Sequence, residues 1–129
     1  MYKFLRTIVC LISVVLSSCD PGERWSSGNY VVYAIDDSEL IKFGVQVGGG
    51  GIQGLVRPKV VGIGEDPKWI VIERHPNGDK TRPEFYYLEK LQVIDQQSGK
   101  DVAHGPLSQG EFNQKRVELK LPPISERFD

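Results

Sequence analysis

From residue 40 to residue 47 the chain alternates without a break: Ile41, Phe43, Val45 and Val47 fall on one face of an extended backbone, Lys42, Gly44 and Gln46 on the other. Successive side chains of a strand point to opposite sides, so only a strand lying half-buried on a core satisfies this order. Residues 30–35 are β-branched and aromatic on both faces, which predicts a strand covered from both sides, ended by the turn chemistry of Asp36, Asp37 and Ser38. Residues 60–63 and 69–73 predict two more strands joined through residues 64–68, and Pro58 puts the first near an edge or at a bulge. The Asn77-Gly78 pair after His75 is a hairpin signal. Residues 85–95 predict the next strand, with Phe85, Tyr87, Leu91 and Val93 in phase on one face and Tyr86, Leu88 and Ile94 on the other; residues 84–92 are also compatible with helix. A turn around Ser98-Gly99 and a short returning strand at residues 102–104 follow.

One helix start stands out. Ser108 lies three residues before Glu111, the spacing of a capping box, and Leu107 and Phe112 occupy the positions of a hydrophobic staple around it. Phe112, Arg116 and Leu119 share a face, Pro122 and Pro123 end the helix near Leu121, and the tail to Asp129 is expected to fray. Gly110 in the first turn costs about 1 kcal/mol against alanine, so the helix depends on packing against the sheet. The fold class expected is α+β, mainly β: an antiparallel sheet of about five or six strands with one C-terminal helix.

The beginning of the chain is of another kind. Lys3 and Arg6 precede an apolar run over residues 8–16, the layout of a secretion signal. The run is about half of the roughly 20 residues a membrane-spanning helix needs. Leu16, Ser17 and Ser18 before Cys19 resemble a bacterial lipobox. That resemblance implies a diacylglycerol thioether on Cys19 and cleavage before it. Two or three acyl chains, at about 0.8 kcal/mol per buried methylene, would hold the product firmly at a membrane. The expected organisation is a signal peptide at residues 1–18, a lipidated cysteine with a flexible tether at 19–29, and one β-rich domain at 30–129. Pro21, Gly22, Ser26, Ser27 and Gly28 suggest the tether, whose last ten residues would reach at most about 33 to 36 Å. Asp20 after Cys19 resembles the signal that keeps lipoproteins in the inner membrane of enteric bacteria. The localisation implied is a cell membrane, with the domain facing the periplasm or exterior.

Cleavage takes 18 of the 129 residues and leaves 111, enough for one small domain. On that reading Cys10 would leave with the signal and Cys19 would be acylated, so no disulfide is expected to support the core. Losing Lys3 and Arg6 from 16 basic residues leaves 14 against 17 acidic ones, a formal net charge of −3. Scattered basic residues give no nucleic-acid stripe, and a mildly acidic domain is a poor partner for anionic lipid heads. Attachment then falls to the acyl chains.

Little of the chain suggests chemistry. Gly49, Gly51 and Gly54 fit G-x-G-x-x-G, but the proline and β-branched residues at 55–61 replace the helix a dinucleotide site requires, so a loop or tight strand crossing is the expectation. No cofactor motif and no metal-ligand spacing accompany His75 and His104, both expected on the surface. The pairs Asp36-Asp37 and Glu65-Asp66 sit where turns want them. Trp25 reads as a loosely docked aromatic, whereas Trp69, Tyr86 and Tyr87 are candidates for an exposed patch that receives a peptide, glycan or protein.

Several pieces together resemble a family of small uncharacterised bacterial lipoproteins, a domain of unknown function. They are the lipobox at Cys19, residues 30–37, the glycines at 48–51, residues 57–62, 69–76 and 93–95, and then Gly105, Pro106, Leu107 and Phe112. The resemblance implies a lipid-anchored envelope protein and supplies no activity and no site residues. The functional expectation is a non-catalytic binding or scaffolding module with an envelope protein or glycan as partner. The alternative is a small hydrolase or carbohydrate-active enzyme with a site near His75 or His104.

Overall fold

A computed structural model of the chain describes residues 22–35, 39–90 and 103–128. The expected leader with Cys19, the turn at residues 36–38, the stretch 91–102 with its Ser98-Gly99 turn, and Asp129 lie outside the described residues. Among those described, nine strands pair antiparallel throughout and one helix follows near the C-terminus. Strands β1 (Glu23–Ser27), β2 (Tyr30–Tyr33), β3 (Lys42–Gln46) and β4 (Ile52–Val56) form one sheet in chain order. The second contains β5 (Val60–Glu65), β6 (Trp69–Arg74), β7 (Glu84–Glu89), β8 (His104–Leu107) and β9 (Glu126–Arg127), in the order β8-β7-β6-β5-β9. Helix α1 spans Gln109–Leu119.

The alternation at residues 41–45 does what its period requires. Ile41, Phe43 and Val45 are buried between the two sheets together with Val32, Ile63, Ile70, Ile72 and Leu88, while Gln46 faces water. Strand β2 is buried on both faces, Tyr30 to Tyr33. The opposite face of the second sheet carries a smaller apolar cluster of Val71, Phe85, Phe112 and Leu121. There Phe112 of α1 stacks on Phe85 of β7 with ring centroids 4.5 Å apart. The result is three layers: sheet, sheet, helix. Residues 84–89 are strand, not helix, because Phe85 and Tyr87 serve the helix-side cluster while Tyr86 and Leu88 serve the inter-sheet core. The glycine cluster closes the β3–β4 hairpin, with Gly49 and Gly50 at φ of 89 and 86, where a side chain would be strained.

Three expectations change. The strands exceed the five or six expected and split between two sheets. Residues 23–27 are not tether: Ser27 pairs with Tyr30 across a two-residue Gly28-Asn29 loop, and Trp25 packs half-buried against the inter-sheet core. Their polar composition belongs to an edge strand with one wet face. The tail is not frayed either. Arg127 and Glu126 pair with Gly62 and Ile63, and Phe128 donates its N–H to the Val61 carbonyl at 2.9 Å and packs on the core. Without that strap β5 would present a bare row of backbone polar groups.

The helix begins as its spacing requires. The Ser108 hydroxyl accepts from the Glu111 N–H at 3.2 Å, and the Glu111 carboxylate accepts from the Ser108 N–H at 3.1 Å. The helix ends at Leu119, earlier than the prolines suggest, because Lys120 takes a left-handed conformation and caps it. Ser108→Ala is expected to cost about 1 kcal/mol in urea unfolding. The hydrogen bonds from the Ser108 backbone and side chain hold the Glu111 carboxyl below its usual range. A lowered folded value favours the ionised native state. Its contribution is therefore complete above the unfolded value of about 4.3 and disappears as pH falls through the folded one. The stability gap between the native chain and Glu111→Gln should be largest above about pH 5 and close below it.

Candidate functional site

The turn between β5 and β6 positions the first aromatic residue. The Asp66 carboxylate accepts from the backbone N–H of Lys68 at 2.8 Å and of Trp69 at 2.6 Å, which fixes where β6 starts. Antiparallel register then sets Tyr87 of β7 opposite Val71, and His104 of β8 opposite Tyr87. Trp69, Tyr87 and His104 therefore line up across three neighbouring strands on the helix side of the sheet. Tyr87 meets the Trp69 indole edge-on, centroids 5.9 Å apart at 72°, and stacks with the His104 imidazole at 4.9 Å and 26°. Lys68 Nζ lies 5.1 Å from the centre of the Trp69 ring, within cation–π reach.

This ladder borders the part of the face that α1 covers. Trp69 and Tyr87 are half-buried and His104 is exposed. Beside the indole a hollow of about 340 Å³ opens between the Asp66–Lys68 turn and the end of α1, floored by Leu119 and flanked by Lys68 and Lys120. Each ring is held by its neighbour, so little side-chain freedom remains to be lost when something docks.

Two of the three aromatic candidates thus come together. Tyr86 does not join them. It faces the other side of β7, packs against the inter-sheet core, and its hydroxyl donates to Glu84 at 3.2 Å. Glu84 also holds Arg74 at 2.5 Å, and the Arg74 Nε donates to the Pro58 carbonyl at 2.7 Å. Burial, then the neighbouring Glu84 charge, pushes the Tyr86 phenol up.

The histidines have opposite fates. His104, expected on the surface, is there and forms the third rung of the ladder. His75 is buried, contrary to expectation. Its Nε2 lies 2.7 Å from a carboxylate oxygen of Glu73, itself buried, and Arg127 of the strap closes on the same carboxylate at 3.2 Å. A histidine beside a carboxylate is the geometry expected of an orienting pair in a hydrolase. Here, however, the guanidinium shares the carboxylate, and the ring lines neither the hollow at the 76–83 loop nor the one beside Lys59 and Asn77. The trio anchors the C-terminal strand to β6.

A hollow of about 730 Å³ lies between the 76–83 loop and the start of α1. Several of its polar groups are already engaged: Asp79 accepts from the Thr81 N–H at 2.9 Å and hydroxyl at 2.6 Å, and Ser108 serves the helix cap. Those Thr81 hydrogen bonds hold the Asp79 carboxyl below its usual range. Among the described residues no cluster of three or more histidine, cysteine, aspartate or glutamate side chains is placed to hold a metal ion. No helix among them is long and apolar enough to cross a membrane. Cys19 lies outside the described residues.

The ladder was legible in its parts only. Trp69 and Tyr87 are 18 positions apart in the chain, and nothing in their spacing couples them to His104. Comparison with protein-family models, with curated proteins and with solved structures finds no match to this chain.

Proposed function

We propose that this chain is a non-catalytic binding module held at a bacterial cell envelope by lipid on Cys19, and that it meets its envelope partner, protein or glycan, through the Trp69–Tyr87–His104 ladder. The ladder is the observation that carries the reading. Aromatic side chains offer large contact area with few rotatable bonds, and flanking cations add recognition of polar or anionic groups at the rim. The lipobox-like residues 16–19 and the resemblance to small bacterial lipoproteins support the anchor. Since β1 already begins at Glu23, only Asp20, Pro21 and Gly22 separate it from Cys19. Those links reach at most about 14 Å, so the domain would sit against the bilayer instead of hanging from a long tether.

Two measurements test this. Mass spectrometry of the native protein should find Cys19 as the amino-terminal residue carrying acyl chains, and Cys19→Ala should move the protein from the detergent phase to the aqueous phase. An unmodified thiol with the leader attached removes the anchor. For the ladder, cross-linking in intact envelopes should give adducts that disappear in Trp69→Ala and weaken in His104→Ala. His104 is exposed, so its removal spares the core. Adducts unchanged in both variants, with circular dichroism also unchanged, would place the contact elsewhere.

A further inference from the structure

The edge strands of a sheet present unpaired N–H and C=O groups, and proteins blunt them with charge, proline, bulges or short length. Among the described residues, three of the four edges are blunted. Strand β1 carries Glu23 and Arg24 and a register shift between Glu23 and Trp25. Strand β8 has four residues including Pro106, and β9 has two, both charged. Strand β4 differs. Its sequence, Ile52-Gln53-Gly54-Leu55-Val56, contains neither charge nor proline. Its one irregularity, at Leu55, lies toward the far end, leaving Ile52, Gln53 and Gly54 paired in order with Gln46, Val45 and Gly44 on the inner side. Those three residues are exposed, and among the described residues no strand covers their outer side.

At the end of the same strand lies a hollow of about 470 Å³ lined by Tyr33, Lys42, Gly54, Leu55 and Arg57. The Tyr33 hydroxyl extends across the sheet to within 3.8 Å of where a Gly54 Cβ would stand. Burial pushes that phenol up, so it stays a neutral donor and acceptor. Lys42 and Arg57 are the charged residues of the hollow, no carboxylate lines it, and neither cation has an ion pair among the described residues. The domain is acidic overall, so two unneutralised cations beside a bare strand edge form a local reversal of its field.

We propose that the free edge of β4 takes up an extended acidic peptide as an added antiparallel strand, with a carboxylate side chain at the start of the paired stretch held by Lys42 and Arg57. Antiparallel addition continues the pairing of both sheets, and a strand antiparallel to β4 begins where β4 ends, which brings its first residues over the hollow. Main-chain hydrogen bonds supply the attachment and the hollow supplies the choice of charge. The site is on the other sheet from the aromatic ladder and needs no lipid, so it stands or falls separately.

The test uses the full chain in detergent micelles and fluorescence anisotropy with labelled peptides. The probe is Asp-Glu-Val-Thr-Val-Thr; the comparators are Lys-Lys-Val-Thr-Val-Thr and the acidic peptide N-methylated at alternate amides. Saturable binding of the acidic probe is expected, with both comparators weaker by about tenfold or more. Lys42→Glu combined with Arg57→Glu should invert the preference between acidic and basic peptides. Equal binding of the three peptides to the unaltered chain, or no saturable binding, would overturn the proposal whether or not the variant folds. So would a dimer in sedimentation that Gln53→Pro converts to monomer, because a second copy would then occupy the edge.

Discussion

Gly64→Ala is expected to lower the melting temperature by roughly 10 to 15 °C, a loss of about 3 kcal/mol. Gly64 lies within β5 opposite Val71, and the chain between α1 and β9 crosses directly over it. An alanine Cβ would overlap the Pro123 carbonyl oxygen, come within 2.8 Å of its carbon, and press on Val71 Cγ2 at 3.1 Å. Two of those three atoms are backbone, so no rotamer relieves the contact. The crossing segment has to lift, weakening the bond from the Ser125 N–H to the Ile63 carbonyl at 2.9 Å and the Arg127 contact with Glu73. Gly110 supplies the control. A Cβ there meets nothing within 4 Å, and in the helix alanine should stabilise by up to about 1 kcal/mol. The same chemical change thus has opposite signs at the two glycines. A drop of less than about 3 °C for Gly64→Ala in a thermal melt would mean that the strap does not lie on β5.

Phe43→Ala should be costlier still, about 3 to 5 kcal/mol. The Phe43 ring is wholly enclosed between the sheets and lies parallel to Tyr30 with centroids 6.0 Å apart. Truncation removes its transfer free energy and leaves a cavity that β2, β3 and β4 cannot close without breaking register. Against the 5 to 15 kcal/mol typical of a whole domain, that loss approaches the total stability. Chemical denaturation reads it directly, and Phe43→Leu, which retains most of the volume, should cost markedly less. A loss under about 1 kcal/mol for Phe43→Ala would be incompatible with a ring buried between two sheets.

How far the chain could be read in advance depended on the range of each signal. The period-two order at residues 41–45, the doubly covered β2 and the Ser108–Glu111 cap all rest on neighbours a few positions apart, and all three appear as read. Strand β1 was hidden because Gly28, Ser26 and Ser27 carry the composition of a tether; the Gly28-Asn29 pair was the available hairpin signal. The tail was hidden for another reason. Glu126 and Arg127 have no strand propensity to speak of and are ordered only because β5 needs a partner. The burial of His75 had no local mark either, since it depends on Glu73 and on Arg127 from the far end of the chain.

The amino-acid order alone determined that this is a mainly β chain with antiparallel pairing and a single late helix, because alternation, turn residues and caps act between near neighbours. Tertiary structure decided which strands share a sheet, which edge stays bare among the described residues, and that Trp69, Tyr87 and His104 form one surface while Tyr86 does not. Those outcomes turn on register between distant segments, where a shift of one residue exchanges the two faces of a strand.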